Sequence, residues 1–198
     1  MAAIIGIEGL PGSGKTTVIG LLIRDLCTVG LRATTVDIET TWIAQRIREL
    51  ASSYPVEHLV RTLLFWALRW HQHEHMQRVR DDYDVIFADR CWGSTLAFDV
   101  YGNGVPRAVA NWVGSRLDCF PDFTIWFDVP LSVTRQRKQA STMRDEAFAS
   151  RVEQGYRELA QELGWHRVDA TRPPEDVRQQ CLDIILPRLS SPPAQRLM

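Results

Sequence analysis

The segment Gly9-Leu10-Pro11-Gly12-Ser13-Gly14-Lys15-Thr16 carries the most specific chemistry in the chain. It matches the pattern G-x-x-x-x-G-K-[ST], in which glycines let backbone N–H groups turn inward around phosphate oxygens. Gly9, Gly12, Ser13 and Gly14 would form that cradle. Lys15 would reach the outer phosphates, the Thr16 hydroxyl would ligate Mg2+, and Thr17 would hold an inner phosphate. A second signal is Asp89-Arg90, where an acid closes the apolar run Val85-Ile86-Phe87-Ala88. An acid so placed holds Mg2+ directly or through water in proteins with this loop, and Arg90 would face the same cleft. These residue types in this order point to a purine nucleoside triphosphate, ATP, bound with Mg2+ and used for phosphoryl transfer.

Such a loop functions only between a strand and a helix, whose positive end then faces the anion. Residues 3–7 form a short apolar run that reads as a strand buried on both faces, and a helix is expected from Lys15 to Thr28, ended by Val29-Gly30. Further strands are expected at 32–37, 83–89, 123–128 and 166–169. Helices are expected at 41–52, from Pro55 to about Arg80, at 94–100 and 106–118, from Pro130 through about Gln139, and at 147–163 and 174–188. Alternating strands and helices predict a five-stranded parallel sheet flanked by helices, an α/β fold of three layers that carries the phosphate loop. One domain over 1–189 is expected, with a short lid at about 138–147 and a disordered tail at 190–198.

Bulk properties narrow the partners. A formal net charge of −1 over 198 residues gives no general attraction to nucleic acid or to an anionic membrane. No apolar run approaches the ~20 residues that span a bilayer. Cys27, Cys91, Cys119 and Cys181 lack metal-ligand spacing and read as reduced thiols, and no charged leader precedes the first strand, so a cytoplasmic protein is expected.

Several further blocks resemble the thymidylate kinase family of nucleoside monophosphate kinases. Ile7-Glu8-Gly9 leads into the loop as that family's I-E-G does, and Ile43-Ala44-Gln45-Arg46-Ile47-Arg48-Glu49-Leu50 is similar to its I-A-E-x-I-R-E-L helix. Leu63-Leu64-Phe65-Trp66-Ala67-Leu68-Arg69 resembles L-L-F-A-A-D-R. Asp89-Arg90-Cys91 followed by Ser94, Ala97 and Phe98 resembles D-R-Y-x-x-S-x-x-A-Y/F. Pro121-Asp122-Phe123-Thr124, Asp128-Val129, Arg137, Arg151-Val152, Gly155-Tyr156 and Val168-Asp169-Ala170 continue the likeness in order along nearly all of the chain.

The resemblance implies transfer from ATP to dTMP, giving dTDP, in a homodimer. It implies that Phe65 stacks on the thymine ring and that Arg69 meets the base edge or the acceptor phosphate. Arg90 would hold the acceptor monophosphate, Ser94 and Phe98 would line the base pocket, and Tyr156 would close over the sugar. The loop has no arginine among residues 10–13, so the lid would supply a cation. Arg144 is expected at the transfer site and Arg137 at the ATP adenine.

The match departs from the family on the acceptor side. Pro11 stands where an Asp usually contacts the sugar, and Asp37 stands in for the acid of an absent Arg-Glu-Pro-Gly element. Asp99 replaces the usual Gln or Thr beside the base-pocket aromatic. These changes leave open a kinase for another small acceptor, such as a nucleoside, or a non-catalytic ATP-binding module. His71 and His75 share a helix face, which reads as solvated; residues 60–76 offer an apolar face suited to a dimer.

Overall fold

The computed structural model describes residues 1–37, 42–53, 58–117, 120–137, 143 and 145–189. The strands are β1 (Ala3–Glu8), β2 (Ala33–Asp37), β3 (Val85–Asp89), β4 (Phe123–Asp128) and β5 (His166–Asp169). They pair in parallel in the order β2-β3-β1-β4-β5, so the strand that feeds the glycine loop lies at the center. The helices are α1 (Lys15–Thr28), α2 (Trp42–Ser53), α3 (His58–Val79), α4 (Trp92–Thr95), α5 (Arg107–Leu117), α6 (Leu131–Arg137), α7 (Glu146–Glu162) and α8 (Pro174–Leu189). This is the expected α/β fold with a five-stranded parallel sheet between helical layers.

Strand alternation assigns the two faces. Ile5 and Ile7 of β1, Val85 and Phe87 of β3, and Ile125 and Phe127 of β4 pack against Leu22 and Leu26 of α1 and Ile185 of α8. Ile4, Ile86 and Ala88 point the other way, toward Met76 of α3. Each fully buried Leu, Ile or Phe contributes on the order of 1.5–3 kcal/mol of burial energy, so this doubly covered sheet makes a rigid base for the loops above it. No helix among the described residues is long and apolar enough to cross a membrane.

Two expected elements differ. The strand expected over 83–89 begins at Val85, and just ahead of it the Asp84 carboxylate accepts the Arg32 backbone N–H at 2.8 Å. The helix expected over 94–100 is α4 followed by a π-helical segment, Leu96–Gly102. That wider coil packs closely on α7. A Cβ on Gly102 would meet Phe148 at 2.5 Å, and one on Gly155 would meet Tyr101 at 2.6 Å, so both glycines admit an aromatic ring where a side chain would clash. Pro55, Cys119, Arg144, residues 138–142 of the expected lid and the tail at 190–198 lie outside the described residues.

Candidate active site

The turn after β1 closes tightly because its glycines take backbone angles other residues avoid. Gly9, Gly12 and Gly14 have φ of 144°, 82° and 92°. A Cβ at Gly9 would also meet the Phe127 carbonyl oxygen at 2.8 Å, so no larger residue fits there. Gly14 then starts α1, whose N–H groups open toward the loop. The Lys15 side chain is buried. Its Nζ donates to the Gly9 carbonyl at 3.1 Å, the Leu10 carbonyl at 2.9 Å and Ser13 Oγ at 3.1 Å. The ammonium is therefore fixed across the loop.

β3 supplies the partners, since parallel pairing sets Ile7 of β1 opposite Asp89. The Thr16 hydroxyl donates to Asp89 Oδ2 at 2.9 Å, which brings the hydroxyl and carboxylate of the two sequence signals together. Asp37 ends β2 in register with Asp89, so the two acids lie at the ends of neighboring strands. Gly12, Ser13, Gly14, Lys15, Thr16, Thr17, Asp37, Asp89, Arg90 and Arg137 line one cavity of about 740 Å³. The cavity opens at the carboxyl ends of the strands, where open α/β sheets take their ligands.

Arg90 is the hinge between this cavity and the helices beyond. Its Nη1 donates to the Gly9 carbonyl at 3.2 Å and to Ser94 Oγ and Tyr156 OH at 3.3 Å each. Its guanidinium lies 5.8 Å from the center of the Phe98 ring. Behind it, Arg69 Nη1 donates to the Arg90 carbonyl at 3.0 Å and Gln72 Nε2 to the same oxygen at 2.9 Å.

The sequence model of the family described as thymidylate kinase matches residues 7–181. The chain belongs to the thymidylate kinase family. A thymidylate kinase of Synechococcus sp. (strain RCC307) is 31% identical over 197 residues, covering 90% of this chain and 93% of that protein. A thymidylate kinase of Methylobacillus flagellatus is 30% identical, covering 91% and 95%. A probable thymidylate kinase of Pyrobaculum aerophilum is 33% identical, covering 92% and 96%. Thymidylate kinases are nucleoside monophosphate kinases, so the chain belongs to a family of phosphotransferases.

Within this thymidylate kinase fold, the expected acceptor residues do not all meet the cavity. Phe65 is half-buried between α2 and α3, packed with the group Ala44, Ile47 and Leu68. Ser94, Phe98 and Tyr156 do come together, around Arg90. Asp99 turns toward α3: it accepts from Trp66 Nε1 at 2.9 Å, Thr62 Oγ1 at 3.3 Å and Asn103 Nδ2 at 3.2 Å. Burial pushes its carboxyl above the usual range, against those three hydrogen bonds, which favor the charged form. Arg137 spends its guanidinium on the turn after β5, donating to the Ala170 carbonyl at 2.7 Å and the Thr171 carbonyl at 3.1 Å.

Sequence reasoning singled out neither Gln72 nor Glu8 as a functional side chain. Gln72 is buried, and besides Arg90 it bonds the Val36 carbonyl at 3.1 Å and accepts from Arg69 at 3.1 Å. In sequence Gln72 sits within the polar run His71-Gln72-His73-Glu74-His75, which gives no signal of a buried role.

Proposed function

We propose that the protein transfers the terminal phosphoryl group of ATP to dTMP, giving ADP and dTDP, with the residues of this cavity as its machinery. The observation that carries the reading is the convergence of the Lys15 loop, the Thr16–Asp89 pair and Arg90 on one cavity. Little covalent chemistry is asked of the chain: it must align two anions and offset their repulsion. The loop N–H groups, Lys15 and Thr17 take the donor's phosphates, and Arg90 takes the acceptor phosphate through charge-assisted hydrogen bonds. An acceptor phosphate has its second pKa near 6, so it needs no strong general base, and Asp89 acts as an orienting residue.

Thr16 Oγ1 and Asp89 Oδ2 are oxygen donors 2.9 Å apart, a set that suits Mg2+, which prefers few protein ligands alongside water and phosphate oxygens. Thr16 and Asp89 would hold it, and when bound it would supply charge neutralization at the donor's outer phosphates. Asp37, at the adjoining strand end, serves the acceptor side in this reading. The base lies beyond Arg90, near Phe98 and Ser94, with Arg69 and Phe65 on α3 completing its pocket. Arg137 borders the adenine, and Arg144 brings the lid's charge to the transfer site.

The same reading makes the protein a cytoplasmic homodimer. Leu59, Leu63 and Trp70 of α3 are 55%, 52% and 39% exposed at helical spacing, an apolar stripe that a second copy would cover. Sedimentation of Leu63→Glu beside the unaltered chain tests this: a monomer mass for the unaltered chain would remove the dimer from the proposal, and a dimer mass for both would remove this stripe as its interface.

A coupled ADP-release assay across the nucleoside monophosphates tests the acceptor. The strongest stimulation is expected from dTMP; no stimulation by either dTMP or dUMP would overturn the assignment.

A further inference from the structure

Glu8 ends β1 on the sheet face opposite Ile7, and none of its surface reaches solvent. Its Oε1 accepts the backbone N–H of Cys91 at 3.0 Å, that of Ser94 at 2.8 Å, and the Cys91 thiol at 3.2 Å. Its Oε2 accepts the Ser94 hydroxyl at 2.6 Å. Glu8 is the acceptor in each of these contacts, two of them from backbone N–H groups, which can only donate. A buried carboxylate persists only where donors and a counter-charge answer it, and Arg90 lies just past the two hydroxyls.

A hydroxyl has one proton to give. Ser94 gives its own to Glu8, so its oxygen meets every other neighbor as an acceptor. Tyr156 OH lies 2.8 Å from Ser94 Oγ and 3.5 Å from Glu8 Oε2, and both of those atoms now need a donor from it. The phenol proton therefore points toward Ser94 and Glu8. Lone pairs on both oxygens are left facing Arg90 Nη1, each at 3.3 Å. Burial holds the Tyr156 phenol well above its ordinary range, and Glu8's charge adds to this, so the proton stays in place at working pH. Without the carboxylate, either hydroxyl proton is released to turn toward the guanidinium and repel it.

We propose that Glu8 is a positioning residue for the acceptor phosphate: it orients the Ser94 and Tyr156 hydroxyls so that both accept from Arg90, and so holds the guanidinium where it meets that phosphate. The proposal rests on the reading of Arg90 as the acceptor contact.

Glu8→Gln tests it with little change of shape. The Gln amide cannot accept on both sides: its NH2 faces either the two backbone N–H groups or Ser94 Oγ, and the second choice reverses the hydroxyl array. The dTMP KM is expected to rise about tenfold or more, the size of one charge-assisted hydrogen bond, with the ATP KM within about twofold. A crystal structure of the variant is expected to show the Arg90 guanidinium drawn away from Ser94 and Tyr156. In a Ser94→Ala/Tyr156→Phe background no hydroxyl remains to orient, so Glu8→Gln should then change the dTMP KM by less than about twofold. It should still lower Tm there, because the Cys91 and Ser94 N–H groups are disturbed in either background. An unchanged dTMP KM in folded Glu8→Gln, or the same penalty in both backgrounds, overturns the proposal. Should Glu8→Gln fail to fold, Ser94→Ala and Tyr156→Phe singly carry the test: each must raise the dTMP KM and spare the ATP KM, and no change in either overturns it. Arg90→Ala is assayed alongside. If that variant keeps the dTMP KM of the unaltered chain, the reading of Arg90 fails, while the Glu8→Gln crystal structure still decides whether Glu8 places the guanidinium.

Discussion

Arg90 has φ of 64°, the single non-glycine residue in the left-handed region among the described residues. That conformation costs a residue with a Cβ about 1–2 kcal/mol. The cost is met by three backbone hydrogen bonds: the Arg90 N–H to the Ile7 carbonyl at 3.0 Å, and the Arg90 carbonyl from Arg69 and Gln72. Comparing Arg90→Gly with Arg90→Ala isolates the strain, since both lose the guanidinium contacts but only glycine loses the Cβ. Glycine gives back about 0.5–1 kcal/mol through its greater freedom in the unfolded chain. The glycine variant should thus be the more stable by about 0.5–1 kcal/mol, the reverse of the usual ranking. In a domain of this size that corresponds to a Tm roughly 1–4 °C higher. Scanning calorimetry resolves such a difference. Kinetically the two should match, each losing a charge-assisted contact of about 1.5–3 kcal/mol, or about 10- to 150-fold in acceptor KM, with a much smaller change for ATP. A glycine variant that melts at or below the alanine variant refutes the strained backbone. Equal KM increases for ATP and dTMP refute the placement of Arg90 on the acceptor side.

Asp89→Asn keeps an oxygen for the Thr16 hydroxyl but removes the charge offered to Mg2+. The fold should persist while half-maximal activity needs about tenfold more Mg2+, and an unaltered Mg2+ titration would rule out this site. Asp99 titrates above the usual carboxylate range because it is buried, so the folded protein holds a proton that the unfolded chain releases. The stability this contributes is fully present below the unfolded pKa and is lost as pH rises through the folded one. The stability advantage of the unaltered chain over Asp99→Asn should therefore shrink from pH 4 upward in denaturant titrations; a widening gap would show the opposite sign of shift.

The phosphate loop was legible because its chemistry is backbone chemistry in one unbroken segment, where glycine positions and a strand-to-helix context suffice. Asp89-Arg90 was legible for a related reason: an acid ending a buried parallel strand lies at the carboxyl end of the sheet by geometry alone. Phe65 is less legible, since an apolar helix pattern marks a stripe without saying whether it meets a ligand or another helix. Ser94 and Tyr156 are expected at the base and the sugar, and the structure hydrogen-bonds both to Arg90. Their orientation comes from a carboxylate 86 residues away from Ser94 and 148 from Tyr156 in the chain. Glu8 itself reads, in sequence, as the residue ahead of a glycine loop. What distinguishes it is that a fully buried carboxylate must find donors on every side, and the groups able to donate there are the N–H groups and hydroxyls around Arg90. The desolvation that makes such a charge costly is thus also what turns each surrounding proton in a single direction, so the acceptor arginine is held by an ordered array and not by hydroxyls free to rotate.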